Sequence, residues 1–227
     1  MKKKIRILVD CGMVLLLPLL MAYSLVGETA HEYLGIGMFL LFVIHHILNI
    51  AWWKNLLRGK YTPIRIVGTV LNFVLVIIML ALPISGMILS RHVFRFLHFG
   101  GAATARTVHL MASYWGLVLM SFHAGMHVQM IAGRYLLNKK SNFKKYIFVL
   151  NVFFVVLGII AFKRKNIWMY LFLQSQFVFI DFSQSVLGTI MDYLFVSILF
   201  MILGYAFTRL TYRKYKQQIP QQSLRFY

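Results

Sequence analysis

Histidines recur at one interval in two apolar stretches of the chain. His31 and His45 are 14 residues apart, and His109 and His123 are separated by the same interval. On an α-helix, 14 steps of about 100° return to within about 40° of the starting direction, after a rise of about 21 Å. Each stretch therefore carries two imidazoles on one face, one near each side of a bilayer. Two such helices side by side would suit two stacked haems, each iron held by one imidazole from each helix.

Other roles for these four histidines remain open from the residues alone. Zinc prefers about four ligands gathered at one point, and two histidines about 21 Å apart on one helix cannot chelate one ion. A proton relay would use histidines too, although it would not require matched pairs. A lone intramembrane histidine can be a hydrogen-bonded packing group, yet ionisable groups in spans are costly and usually mark sites or relays. The repeated interval favours haem ligation.

A further histidine follows the second pair. His127 lies 18 residues after His109, on the same helical face. It could ligate in place of His123, hydrogen-bond a haem propionate or line a quinone pocket. Asn49, four residues after His45, is its counterpart in the first stretch.

Three more residues are candidates for supporting roles. His46 is 15 residues from His31 and about 60° off in the other direction, so it is the poorer ligand and a candidate for quinone contact or support. The Arg106 guanidinium, one turn before His109, could pair with haem propionates or anchor at lipid headgroups. Gly116, midway between the ligands of its stretch, would let a porphyrin approach the backbone, although glycine also serves packing in membrane helices.

Less specific predictions concern the acids and the remaining histidines. Glu32, beside the first ligand, is either a supporting or proton-accepting group or a hydrated loop residue. Asp10 and Asp192 are the acids placed well inside apolar runs. His92 and His98, in the loop before the fourth run, are expected to be solvated.

The composition indicates an integral membrane protein. The chain has 227 residues, of which 60% are hydrophobic, whereas a soluble domain is nearer half apolar. The net charge of +19 would suit nucleic acid, but no nucleic-acid-binding motif accompanies it, and basic cytoplasmic loops explain it better. Cys11 is the one cysteine, which excludes disulfides within the chain. Because C-x-x-C-H is also missing, any haem would be held non-covalently, as b-type haem.

Six apolar runs approach the roughly 20 residues that cross a bilayer: they lie near 7–26, 33–53, 66–90, 106–132, 146–162 and 186–208. Residues 168–180 are apolar but too short, and are predicted to be an interfacial or re-entrant piece on the outer side. The start, MKKKIR, resembles a signal peptide, but the only cleavage-like feature is the weak pair Ala22 and Ser24, so the first run is predicted to remain as a span.

The distribution of lysine and arginine predicts that both termini face the cytoplasm. With the N-terminus inside, 18 basic residues fall on the cytoplasmic side and six outside. The two histidine-bearing runs then point in the same direction. His31 is therefore expected at the depth of His109, near the outer face, and His45 at the depth of His123.

These features predict an all-α, multi-pass membrane protein with about six transmembrane helices. Residues 1–135 would form a four-helix dihaem bundle, and residues 136–227 would add two helices, an outer interfacial segment and a basic cytoplasmic tail. No G-x-G-x-x-G follows a strand, so no NAD- or flavin-binding domain is predicted.

Over about 5–133 the chain resembles the flavinylation-associated cytochromes, small bacterial membrane proteins long described as a domain of unknown function. The shared motifs are H-E-x-x-G…H-x3-N-x-x-W in the second run, S-G in the third and H…G…S-F-H-x-G-x-H in the fourth. The paired histidines are also similar to those of cytochrome b in bc-type complexes. Asn49 stands where members often have histidine.

The resemblance implies a dihaem cytochrome of the bacterial cytoplasmic membrane. It would pass electrons from membrane quinol to extracytoplasmic flavoproteins that carry covalent flavin. The implied ligands are His31, His45, His109 and His123, with His127 as the family's additional histidine. Two axial imidazoles close both coordination positions of iron, which suits electron transfer better than oxygen binding. Whether the chain is an enzyme in its own right is left open.

Two other functions also stay open. The chain could be a haem-bearing anchor subunit of a larger oxidoreductase, in which catalysis occurs on another polypeptide. It could instead be a haem-free transporter with a histidine proton relay, because internal duplication is common in transporters too.

Overall fold

The computed structural model describes residues 2–97, 99–136, 141–179 and 183–218. Within these ranges the chain is helical and has no β-strand, which confirms the all-α prediction. The long helices are α1 (Lys2–Met21), α3 (Glu28–Leu48), α5 (Pro63–Leu89), α6 (Ala102–Leu136), α7 (Ser141–Arg164) and α9 (Val186–Gln218). The short ones are α2 (Tyr23–Val26), α4 (Ile50–Lys54) and α8 (Ile167–Leu171). His98 and the end of the predicted tail, 219–227, lie outside the described residues.

Four helices are long and apolar enough to cross a membrane: α3, α5, Lys145–Arg164 of α7 and Val186–Tyr212 of α9. The chain is therefore a helical membrane protein, but the predicted count of six spans is not reached. In α1 the charges of Lys4, Arg6 and Asp10 interrupt the apolar run. In α6 the histidines and hydroxyl side chains dilute it.

Large apolar side chains cover the outside of these helices. Leu40 and Ile47 on α3, Ile77 on α5, and Phe148 and Phe153 on α7 are all exposed. Apolar surface of this extent marks a membrane contact in a protein that stays folded. Membrane lipid is thus the partner that this surface fits.

The helix that carries His109 and His123 crosses α9 at close range. A Cβ atom on Gly125 of α6 would collide with the Met201 carbonyl, and one on Gly204 of α9 would collide with the Phe122 carbonyl. Glycine at both positions lets the two backbones touch. On its other side α6 packs along α5.

The first histidine-bearing helix, α3, stands apart from α6. It packs mainly on α1 and more lightly on α5, and little or no close backbone contact joins it to α6 in the described chain. Gly27, with a φ of 93°, separates α2 from α3, because a positive φ is open to glycine without strain. Side chains, and not backbones, therefore bridge the two histidine-bearing helices.

Because α6 and α9 cross in backbone contact, adding one methyl group at the crossing should destabilise the protein. Gly204→Ala should force the helices apart and destabilise the protein by about 1–3 kcal/mol, as overpacking does. The thermal midpoint of the detergent-solubilised protein should fall. Gly68→Ala on α5 is the matched control, because its Cβ would lie 3.8 Å from the flexible end of Met126. Equal midpoints for the two variants would contradict the close crossing.

Candidate functional site

The structure brings the first predicted pair of histidines together. The ring centroids of His31 and His109 are 6.1 Å apart and their planes are inclined by 68°. His31 lies in the first turn of α3, and His109 in the second turn of α6. We call this pair the first level of the site.

The His109 ring is held by α5. Its Nδ1 lies 3.2 Å from the Leu82 carbonyl oxygen and 3.0 Å from Ser85 Oγ. A carbonyl can only accept, so Nδ1 carries the ring hydrogen and the Nε2 lone pair is free. Ser85 donates its own hydrogen to the Ala81 carbonyl, 2.6 Å away, and can accept from the ring. The next residue is Gly86, where a Cβ would lie 3.5 Å from His109 Cε1. Ser85 and Gly86, the S-G motif of α5, therefore form the surface against which this imidazole packs.

The His31 ring packs edge-on against Tyr23, with centroids 5.0 Å apart. Its Nδ1 is buried and has no hydrogen-bond partner within the described part of the chain. The Leu20 carbonyl lies near the ring, but not in hydrogen-bonding geometry to Nδ1. A buried, unpartnered ring nitrogen beside a second imidazole is the kind of atom that a bound group satisfies.

Glu32 clamps the loop after α5 to the start of α3. Its carboxylate accepts from Ser90 Oγ at 2.7 Å and from the backbone amides of Arg91 at 2.8 Å, His92 at 3.3 Å and Val93 at 2.7 Å. Of the two roles predicted for Glu32, this is a supporting one. The clamp fixes the end of α3 that presents the neighbouring His31.

His92 lies at this surface and not at the first level. Its ring is 43% exposed and its Nε2 is 3.6 Å from the Glu28 carboxylate. Glu28 also accepts from the Tyr23 hydroxyl at 3.0 Å. His92 is therefore a surface residue with one acidic neighbour.

A second level lies toward the other end of α3 and α6, and contains Asp10, His45, His46, His123 and His127. His45 Nδ1 is 2.7 Å from Asp10 Oδ1. A carboxylate accepts, so Nδ1 carries the hydrogen and Nε2 keeps its lone pair. The packing of α1 on α3 positions this contact, which the spacing of the histidines could not reveal.

His46 has the opposite ring polarity. Trp53 Nε1, which can only donate, lies 3.1 Å from His46 Nδ1. The ring hydrogen of neutral His46 is therefore on Nε2, and neither nitrogen has a lone pair left for a metal. This tautomer favours His45 over His46 as a ligand.

His123 and His127 are one turn apart on α6, with ring centroids 4.6 Å apart. His123 is within electrostatic range of His45 and His46, and His127 is within range of Asp10 and His45. No ring-to-ring contact joins His45 to His123 in the described chain. The second level is therefore a looser group than the first.

The other candidates lie outside both levels. The Asn49 amide donates to the His45 carbonyl at 2.8 Å and caps α3. The Arg106 guanidinium is exposed and lies 5.7 Å from the centre of the Phe177 ring. A Cβ on Gly116 would meet Ile78 at 3.4 Å, so this glycine faces α5.

A buried ionic cluster on α7 and α9 was missed by the sequence-based topology, which treated its two cations as outer-loop charges. Asp192 is only 1% exposed. Arg164 donates to it through two nitrogens, with Nε 2.9 Å from Oδ2, and Lys165 Nζ lies 3.7 Å from Oδ2. The sequence feature that could have indicated this cluster is an acid in one apolar run, Asp192, and two cations at the end of the preceding run, Arg164 and Lys165.

No protein-family model matches the chain, and neither a curated protein nor a solved structure shows significant similarity to it. The family resemblance seen in the motifs therefore stays a prediction.

The Glu32 clamp predicts a local effect on exchange. Glu32→Ala should release the amides of Arg91, His92 and Val93, because each hydrogen bond to a charged group contributes about 1.5–3 kcal/mol. Hydrogen–deuterium exchange of this loop should quicken by about tenfold or more. Glu28→Ala, which removes an acid from the same surface, should leave those amides slow. Similar exchange in both variants would mean that Glu32 does not hold the loop.

Proposed function

We propose that the protein is a b-type dihaem cytochrome that carries electrons between membrane quinol and an acceptor outside the cytoplasm, such as a flavinylated protein. His31 and His109 would hold one haem, and His45 and His123 the other. Six helices would cross the membrane, with both termini in the cytoplasm. Arg106 would be free to pair with a propionate at the outer surface.

One distance carries the proposal. An iron between two imidazoles, with bonds of about 2 Å, places the ring centroids about 6 Å apart. The His31 and His109 rings are 6.1 Å apart. They project from helices whose backbones stand apart, as a flat ligand between them requires.

The ring hydrogens support the same assignment. At each level one histidine directs its Nδ1–H to an acceptor: the Leu82 carbonyl for His109 and the Asp10 carboxylate for His45. Metal-binding histidines commonly have such a partner, which fixes the ring and leaves Nε2 for the metal. The residues present therefore fit bis-imidazole ligation.

Bound haem would supply one-electron chemistry. The haems would be held by imidazole alone, from His31, His109, His45 and His123, which suits electron transfer better than oxygen binding. Met38 and Phe42 on α3 and Met79 on α5 belong to the buried apolar core of the bundle. They would keep water from the region between the two levels.

A groove between α3 and α5 offers a place for a quinone ring beside the second level. Its volume is about 290 Å³, and it is lined by Phe42, Val43, His46, Ile47, Ile50, Trp53, Val76 and Leu80. Because Trp53 fixes the hydrogen of His46 on Nε2, this ring offers a donor to a quinone oxygen. A haem-bearing anchor subunit would share this arrangement and differ in having a catalytic chain that co-purifies with it.

The proposal predicts the haem content of two variants. His109→Ala should lose one of two haems, because it removes an axial ligand of the first level only. His92→Ala should keep both, since His92 lies at the surface. The pyridine haemochrome assay on purified protein, normalised to protein concentration, measures both values. Two haems in folded His109→Ala would overturn the assignment, and a colourless wild-type protein would favour the haem-free transporter.

A further inference from the structure

The two levels differ in the charge that faces their ligands. His45 donates to a carboxylate, Asp10 Oδ1 at 2.7 Å. His109 instead faces two neutral oxygens, the Leu82 carbonyl and the Ser85 hydroxyl. The carboxylate contact of His45, at 2.7 Å, is also shorter than the two contacts of His109, at 3.0 and 3.2 Å, so charge and distance both make Asp10 the strongest of the three acceptors.

Asp10 is directed at His45 and not neutralised by a nearby cation. Its ion-pair partner in the described chain is His45 itself. The closest basic side chain along α1, Arg6, instead donates to the Leu48 carbonyl at 2.5 Å. His127 also lies near enough for this carboxylate to act on it. The carboxylate is half exposed, with 51% of its side-chain surface accessible, which lowers the cost of keeping it charged near an apolar bundle.

We propose that Asp10 is a positioning residue that orients the His45 imidazole and gives the second level the lower reduction potential of the two. This inference rests on the proposed function. A carboxylate acceptor makes a ligating imidazole more basic, and a more electron-donating axial ligand stabilises ferric over ferrous iron. The neutral acceptors of His109 do so less.

The direction of electron movement follows from this asymmetry. With Asp10 beside His45, one-electron transfer between the bound haems would run from the level held by His45 and His123 toward the level held by His31 and His109. In the predicted topology this is movement from the cytoplasmic side toward the outer face. The level with the lower potential would be the one to accept electrons from a quinol in the groove beside His46, which would give up two electrons one at a time and release its two protons to water.

The test is a potentiometric titration of the full-length protein in detergent, followed at the reduced α-band. Asp10→Asn keeps the size of the side chain and an acceptor oxygen but removes the charge. The lower midpoint potential should rise by at least about 59 mV, which corresponds to a tenfold change in the ferric-to-ferrous ratio for a one-electron couple. The upper midpoint should not move. Glu28→Gln, which removes an acid at the opposite end of α3, should leave the lower midpoint unchanged.

Three further variants assign the midpoints and separate the effect of charge from that of folding. In His109→Ala the remaining haem should titrate at the lower midpoint, and adding Asp10→Asn should raise it. Asp10→Glu should restore the wild-type lower midpoint and the wild-type low-spin ferric EPR signal of that haem. If Asp10→Asn loses a haem, the Asp10→Glu values decide.

Unmoved midpoints in Asp10→Asn with both haems present would overturn the inference, as would a shift of the upper midpoint alone. So would an altered lower midpoint in Asp10→Glu. The proposed function would survive each of these results, because the two haems would still be bound. A wild-type protein without haem would overturn the proposed function itself. Failure of the inference is therefore distinct from failure of the function.

Discussion

The contact between the His31 and His109 rings is the constraint on which the rest of the site depends. It joins two helices whose backbones stand apart, so it is stable only if each ring is held from its own side. Ser85 and Leu82 hold one ring from α5, and the Glu32 clamp fixes the start of the helix that carries the other. Within the described part of the chain, the buried Nδ1 of His31 has no hydrogen-bond partner, and the proposed haem would lie beside this ring.

The packing of the C-terminal helices maintains this arrangement. Gly125 and Gly204 let α6 and α9 pack in direct backbone contact, and the ion pair between Arg164 and the buried Asp192 joins α7 to α9. Removing one partner of such a pair is costly because it leaves a buried charge alone. These contacts support α6 on the side away from α5, so the His109 ring keeps its contacts with Ser85 and Leu82.

The sequence could predict that His31 meets His109 because an α-helix repeats its direction at fixed intervals whatever its composition. It could not predict the partners of the second level. Asp10 reaches His45 from another helix, and Trp53 decides the tautomer of His46 through a turn that periodicity does not describe. Four helices of the described chain, and not six, are apolar enough to be identified as spans for a related reason: the polar residues that make α1 and α6 functional candidates also lower their apolar content.

The central claim is that paired imidazoles bind iron at two levels, and near-infrared magnetic circular dichroism of the purified ferric protein tests it most directly. This spectrum identifies the axial ligands of low-spin haem, and its intensity against protein concentration counts the haems. We expect two low-spin haems per chain, each with bis-imidazole ligation. A protein without haem, or one whose haems are high-spin with an open axial position, would contradict it.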